Sequence, residues 1–388
     1  MKIEQIYLYP VKSFRGVAVD SAILTRHGFD HDRTFMVMQV MDENGEKTYK
    51  NATIASYNEL CRFFPAFNFP DDGEESQASM TVTHHPVNGG ESSTIEIPLR
   101  PDTSALKEFD VLMHLSPTKA YQMDEKYNSW LSKCLGYECI LAYIGDNLRE
   151  VRMSADKYKT ASNATAEQSN GWLASLASKA TELVMGSGLE EVNGIRLPDV
   201  APYLFVSSKS MDDCNRRLAD GEQMDITKFR PNVIVSGAER PWDEDFWGEL
   251  TIGKDAKVEL EHNCGRCRSI NVDYETGAQG TGEAGKMLKK LASDRRVDKG
   301  TKWSPIFGRY AFLHPSSEGK EIKVGHDVDV SRLNRERTAF GKFSSVELLI
   351  DFGSMLTETI DWQGYVCTSP QLSLLQASFS LTLMLTRQ

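Results

Sequence analysis

With 388 residues, 40% hydrophobic, 26% charged and 9% aromatic, the chain has the make-up of a globular protein of roughly two domains and not of a disordered one. A formal net charge of -11 argues against generic binding to nucleic acid or anionic membrane and leaves a small molecule or another protein as the partner. Seven cysteines, odd in number and scattered over 61, 134, 139, 214, 264, 267 and 367, do not make the paired framework of a secreted domain. No stretch reaches the roughly 18 to 20 apolar residues of a membrane span. Glu4 within the first five residues argues against a signal peptide, so a reducing, cytoplasmic location is expected.

Ile6-Tyr7-Leu8-Tyr9 is rich in strand formers and is halted by Pro10. The turn Val11-Lys12-Ser13-Phe14-Arg15-Gly16 follows, and its lysine and serine read either as an ordinary surface loop or as an anion cradle. His27-Gly28-Phe29-Asp30-His31-Asp32-Arg33 precedes a strand over 34–40. Asp32 and Arg33 can pair across its end, and the two histidines read as solvated turn residues ahead of a metal site. Asn44-Gly45 is the strongest hairpin signal in the chain.

Residues 70–104 are acidic, Gly/Ser-rich and poor in apolar side chains, and read as a loop-rich excursion. Tyr127, Trp130, Leu131, Cys134 and Leu135 recur at helical spacing and stop at Gly136, a natural C-cap. A strand is expected over 139–144. The segment 154–188, with a helical tail, is expected to join two domains. After the strand 203–206 come Ser207 and Ser208, and Ser210 with Asp213 resembles a helix N-cap. That strand, turn and helix start favours an anion, or else the serines only cap.

Phe229-Arg230-Pro231-Asn232 leads into a short β-branched strand, since Pro231 forces an extended entry. Arg230 offers a planar fork of donors suited to phosphate or a heterocycle edge. Asn263-Cys264-Gly265-Arg266-Cys267-Arg268 holds the only pair of cysteines with CxxC spacing. One such pair is half of what a tetrahedral zinc site needs. A dithiol redox pair calls for a helix after the first cysteine, whereas 269–273 reads as a strand. A single thiolate, activated by Arg266 and Arg268 and serving as one soft ligand to a metal, remains.

An amphipathic helix is expected over 284–292. Lys286, Lys289, Lys290, Arg295, Arg296, Lys299 and Lys302 form the one markedly basic region, either a solvated face or a docking patch for an acidic partner. A strand begins within 304–310, and 324–328 reads as the last turn and strand of a barrel-like domain. The alternating residues Phe379, Leu381, Leu383 and Leu385 read as a strand-like extension.

Val11-Lys12-Ser13, Asp32-Arg33, Phe229-Arg230-Pro231-Asn232, Cys264-Gly265-Arg266-Cys267, Val272-Asp273 with Thr276-Gly277, and Ser304-Pro305 with Phe307-Gly308 and Tyr310 occur in this order. Together they resemble the MOSC family with its N-terminal β-barrel companion, and within it the amidoxime-reducing branch. The resemblance implies an α+β fold, mainly antiparallel β: a β-rich companion domain over 1–150, a MOSC β-barrel over 151–335 and an extension of unknown role over 336–388.

It also implies a molybdenum cofactor, with Cys267 as the protein's ligand to the metal and the catalytic residue, and Cys264 as a neighbour. Lys12, Ser13, Arg33, Asp199, Arg230, Gly265, Arg266 and Tyr310 would hold the pterin and its phosphate, with Asn232 a further candidate. Ala201 stands where relatives often carry serine. The implied activity is reduction of N-hydroxylated compounds such as amidoximes and hydroxylamines, with electrons from a small acidic haem carrier and its flavin reductase. Mitochondrial association is a second location, although no anchor precedes the first motif. The alternative is a cofactor-binding or sulfur-carrier module without reductase activity, since MOSC domains also terminate molybdenum cofactor sulfurases. Those use a pyridoxal-phosphate domain, for which 388 residues leave no room.

Overall fold

The computed structural model describes residues 1–151 and 194–340, apart from 44, 71–76, 88 and 220. The linker expected over 154–188 and the alternating segment near the C-terminus lie outside the described residues. The fold is α+β and mostly antiparallel. Its largest sheet runs Val17–Val19, Lys2–Leu8, Val233–Ser236, Tyr203–Ser207, Ile306–Leu313, Ala256–Gly265, Trp247–Ile252 and Val328–Leu333 in spatial order. Within it only Tyr203–Ser207 and Val233–Ser236 run parallel to one another.

The first strand therefore lies in the sheet of the C-terminal half. Its pairing with Val233–Ser236 slips between Ile3 and Gln5, which leaves Glu4 as an extra residue. In an unbroken strand side chains alternate, so positions 3 and 6 would face opposite ways. The bulge removes that conflict, and Ile3 and Ile6 are buried in one core with Leu8, Phe205, Val235, Trp247 and Leu260.

A five-stranded antiparallel sheet carries the N-terminal half, in the order Glu46–Asn51, Phe35–Glu43, Cys139–Tyr143, Ser116–Gln122, Lys107–Met113. Glu43 pairs with Glu46, so the hairpin read from the sequence is present. Phe63–Asn68, Ser79–His84 and Ser93–Pro98 make a third sheet. The helix Glu125–Leu135 buries Tyr127 and Leu131 in the same core as Phe35, Phe63 and Val82. It stops at Gly136, whose φ of 80° lets its N–H reach the Ser132 carbonyl at 2.8 Å.

Three local expectations change. The helix Ser208–Arg216 is capped by Ser207, whose hydroxyl accepts from the Lys209 N–H, and not by Ser210. Ser210 is buried and donates instead to Glu244 at 2.7 Å. The segment expected as a strand over 269–273 is a 3₁₀ turn, Arg268–Asn271, followed by only Val272–Asp273 in strand. The helix expected over 284–292 is a 3₁₀ turn, Ala284–Lys286, joined to Met287–Ala292.

Two consecutive acids, Glu244 and Asp245, are fully buried in the 3₁₀ turn Asp243–Phe246. Asp245 is matched by a two-pronged Arg295, at 2.8 and 3.0 Å, and by Arg337 at 2.7 Å. Glu244 faces no such cation, and one of its oxygens has no hydrogen-bond partner among the described residues. Burial pushes its carboxyl up to about 8 from an ordinary 4.5. The folded chain therefore keeps this proton after the unfolded chain has shed it, so stability falls as pH rises from about 4.5 to 8. Glu244→Gln, which preserves the acceptor for Ser210, should raise stability at pH 7 by roughly 3 kcal/mol. Urea unfolding at pH 5 and pH 7 checks this, because the gain should be much smaller at the lower pH.

Candidate functional site

The pairing of the first strand with Val233–Ser236 brings the segment after Leu8 beside the segment before Val233. Tyr7 N–H donates to the Asn232 carbonyl at 2.8 Å. At this junction lies the buried Asp32. One carboxylate oxygen accepts the Tyr9 N–H at 2.7 Å, and the other accepts Arg33 Nη1 and, at 3.1 Å, Asn232 Nδ2. Asn232 closes the ring: its carbonyl oxygen accepts Arg33 Nη1 and Leu204 N–H, both at 3.1 Å, and its amide also donates to the Tyr7 carbonyl at 3.3 Å. The Asp32–Arg33 pair read from the sequence is present. The Asn232 amide is fully engaged by the protein, so it acts as a strut for Arg33.

Arg230 packs beside this node. Its guanidinium lies 4.4 Å from the Tyr9 ring centroid and that of Arg33 lies 4.9 Å away, so two cations share one aromatic ring. Arg230 Nη1 donates to the Phe14 carbonyl at 2.7 Å. Its Nη2, though buried, has no hydrogen-bond partner among the described residues, and neither has the buried Tyr9 hydroxyl. Burial, only partly offset by the two arginines, pushes that hydroxyl far above the ordinary tyrosine range. Ser13, Arg33 and Arg230 all hold left-handed backbone, with φ of 73°, 49° and 54°. Such strain persists only where the surroundings enforce it, and it gathers at binding sites. The Ser13 hydroxyl accepts the Ile54 N–H at 3.0 Å, which fixes the turn.

Lys12 is buried and donates to the Leu197 carbonyl at 3.1 Å and to Asp199 Oδ1. Burial lowers its ammonium pKa and Asp199 opposes that shift. Desolvation disfavours the Asp199 anion, but Lys12 and His114 outweigh it and hold the carboxyl well below the usual range. Sequence reasoning missed Arg149. It is buried, donates to the carbonyls of Arg196, Pro198 and Asp199, and fixes the course of the backbone there. Its burial pushes the guanidinium down to about 10. A lone arginine just ahead of a polar stretch carried no sequence signal.

The cysteine loop leaves the strand Ala256–Gly265. Cys264 is buried near Tyr310 with its sulfur 3.9 Å from the Gly265 carbonyl, and burial pushes its thiol up. Cys267 is exposed at the start of the 3₁₀ turn, with its sulfur 3.2 Å from the Ser269 hydroxyl. Arg266 points inward, donating to the Phe229 carbonyl at 2.7 Å and to the Phe307 carbonyl from both Nε and Nη2. Gly308 makes room for it: a Cβ there would lie 2.8 Å from the Phe205 carbonyl and 3.2 Å from Arg266 Nη2. Arg266 thus ties the loop to the strand starting at Ile306 and to the segment bearing Arg230. Gly265 lies against Ser304, to which a Cβ would approach within 3.2 Å.

Two groups of expected site residues come together. Arg33, Arg230 and Asn232 gather around Tyr9 and Asp32. Lys12 and Asp199 meet with Arg149 and His114, and the Asp199 anion is near enough to make both the Cys264 thiol and the Tyr310 hydroxyl weaker acids. Among the described residues no three His, Cys, Asp or Glu side chains are grouped as a metal cage.

A model of the MOSC domain matches residues 193–329, and a model of the MOSC N-terminal beta barrel domain matches residues 1–138. The molybdenum cofactor sulfurase of Arabidopsis thaliana is 26% identical over 305 residues, which cover 76% of this chain and 31% of that protein. Mitochondrial amidoxime-reducing component 1 of Homo sapiens is 36% identical over 138 residues, covering 34% of this chain and 38% of that protein. The molybdenum cofactor sulfurase of Homo sapiens is 24% identical over 365 residues, covering 87% of this chain and 34% of that protein. The matched part of this chain thus spans about a third of the length of each of these relatives.

The strut role of Asn232 has a measurable consequence. Asn232→Ala would strip partners from Arg33, from Asp32 and from the Leu204 N–H, all in a buried place. A loss of about 2–4 kcal/mol in urea unfolding is expected, more than a single exposed hydrogen bond would give.

Proposed function

This chain belongs to the MOSC domain family, with a MOSC N-terminal beta barrel domain ahead of the MOSC domain, and from that premise we propose that it is a molybdenum-cofactor oxidoreductase acting on N-hydroxylated compounds. The carrying observation is the buried Arg230 Nη2 beside the buried Tyr9 hydroxyl, both without a hydrogen-bond partner among the described residues, next to a locked Arg33. A buried donor without an acceptor is costly, and a phosphate or pterin edge would satisfy it. The residues present therefore fit an anionic heterocyclic group.

Arg230, Arg33 and the turn at Ser13 would hold that group, while Asn232, Lys12 and Arg266 keep the holders in place. Cys267, exposed on its loop, would offer its sulfur to the metal, and Cys264 stays buried against Tyr310. The cofactor would supply two-electron oxygen-atom transfer. Overall, an N–OH group, two electrons and two protons give N–H and water. Asp199, with its side chain 55% exposed and held ionised by Lys12 and His114, would orient an N–H of the substrate beside the cofactor.

The electrons would come singly from a small acidic haem carrier served by a flavin reductase. The basic segment is smaller than its sequence implies. Lys286 and Lys290 pair with Glu283, and Arg295 is buried on Asp245. Lys289, Arg296, Lys299 and Lys302 remain exposed and available for docking. No helix among the described residues is long and apolar enough to cross a membrane.

A second reading is a cofactor-binding or sulfur-carrier module, favoured by the sulfurase matches over 76% and 87% of this chain against 34% for the amidoxime-reducing relative. Turnover of benzamidoxime by the molybdenum-loaded chain with an artificial electron donor separates the two. Loaded wild type should turn over and Cys267→Ser should lose at least a hundredfold in rate and most of its molybdenum. Molybdenum bound without turnover would favour the module, and undiminished molybdenum in Cys267→Ser would remove the assigned ligand. Reversing the charge of Lys289, Arg296, Lys299 and Lys302 together should lower the rate with a haem-protein donor at least tenfold and spare the rate with the artificial donor. An unchanged rate with the haem donor would end the docking assignment.

A further inference from the structure

The antiparallel strands Lys107–Met113 and Ser116–Gln122 are joined by just two residues, His114 and Leu115, since Met113 pairs with Ser116. Both are left-handed, with φ of 49° and 60°. That is the geometry of a tight hairpin turn, which asparagine and glycine fill without strain. Histidine tolerates it moderately and leucine poorly. A turn built from such residues calls for a reason at the place where its side chain ends.

His114 ends on the candidate site. Its Nε2 lies 3.3 Å from Asp199 Oδ1, the same oxygen that takes the Lys12 ammonium. Arg149 holds the Asp199 carbonyl at 2.8 Å, so the residue is gripped from the backbone as well. Asp199 Oδ2, in contrast, has no hydrogen-bond partner among the described residues, and the side chain is 55% exposed. One oxygen is pinned and the other is unengaged among the described residues.

We propose that His114 is a positioning residue: with Lys12 it pins one oxygen of Asp199 so that the other is presented to the N–H of an N-hydroxylated amidine. This rests on the reductase reading above. An amidoxime carries an NH₂ next to its N–OH, and the amidine left after reduction carries N–H donors as well. A fixed carboxylate oxygen can accept from both. Hydroxylamines without a neighbouring N–H would gain nothing from it, so the arrangement selects amidoximes. The charged groups around the contact are Asp199 itself, Lys12, Arg149 and Arg33, and His114 is the member on the solvent side. His114 and Lys12 both favour the Asp199 anion.

Two amide replacements test this. His114→Gln places an N–H donor at about the reach of the imidazole, whereas His114→Asn suits left-handed backbone but is too short. The Asp199 carboxyl is titrated by ¹³C NMR in the full-length chain without cofactor, and KM for benzamidoxime is measured on the loaded enzyme. In His114→Asn the titration should move to higher pH and KM should rise at least fivefold with kcat changed less. In His114→Gln both should fall between the wild type and the Asn variant, and KM for N,N-dimethylhydroxylamine, which has no N–H, should be unaffected in either. An Asp199 titration in His114→Asn that matches wild type overturns the pinning. A displaced titration with unchanged KM overturns the substrate role. A loaded wild type that leaves benzamidoxime untouched overturns the reductase reading and the substrate role with it, while the titration still decides the pinning.

Discussion

The arrangement of this protein depends on one buried carboxylate. Asp32 accepts from the Tyr9 backbone, from its neighbour Arg33 and from Asn232, which lies 200 residues further along the chain. A carboxylate taken out of water is tolerable only when its oxygens are occupied by donors. Satisfying Asp32 therefore dictates where the turn after the first strand and the segment before Val233 must meet. The bulge at Glu4 serves the same end, since it sets the register in which Tyr7 reaches Asn232.

From that node the strain follows. Arg33 and Arg230 hold left-handed backbone, as does Ser13 in the adjoining turn. Their side chains leave those turns toward a common space, and extended backbone would send them elsewhere. Rigid strands on either side supply the packing that holds these conformations. His114 and Leu115 repeat the device from the five-stranded sheet, so several separate pieces of chain deliver side chains by the same unfavourable backbone geometry.

Much of this was legible in the sequence, and the parts that were not escaped it for separate physical reasons. Alternation and turn residues located the strands beginning at Phe35, Cys139, Tyr203 and Ile306, because period and punctuation are local properties. The 3₁₀ turn after Cys267 was read as a strand because Ser269-Ile270-Asn271-Val272 has strand-like composition, and the pull of Asn271 into contacts with Gly280 and Leu288 is not local. Motif order led to Arg33, Arg230 and Cys267. It did not separate holders from struts: Arg266 and Asn232 belong to the same motifs, yet their polar atoms are engaged by backbone carbonyls and by Asp32. That distinction is a matter of which way a side chain leaves the backbone. Arg149 and His114 lay beyond reach for a different reason, since each acts on residues 47 to 85 positions away through a contact that only the closed fold creates.

The charge balance of the site is opposite to that of the chain. Overall the protein carries -11, yet around Tyr9 and Asp199 the cations Lys12, Arg33, Arg149 and Arg230 face only Asp32 and Asp199. Burial already drives the Lys12 ammonium and the Arg149 guanidinium toward losing their protons. Gathering positive charge in a desolvated space within an acidic protein works against the fold unless something negative enters. Structural ion pairs of the Asp245–Arg295 kind are matched within the protein, with both arginine prongs on one carboxylate. The cluster beside Tyr9 is not matched in that way, since Arg230 keeps a buried donor without an acceptor among the described residues. A doubly charged phosphate would restore neutrality there and give that donor an acceptor. On the proposed reading, the strained turns, the locked Arg33 and the Arg230 donor are parts of one electrostatic arrangement that a bound anion would complete.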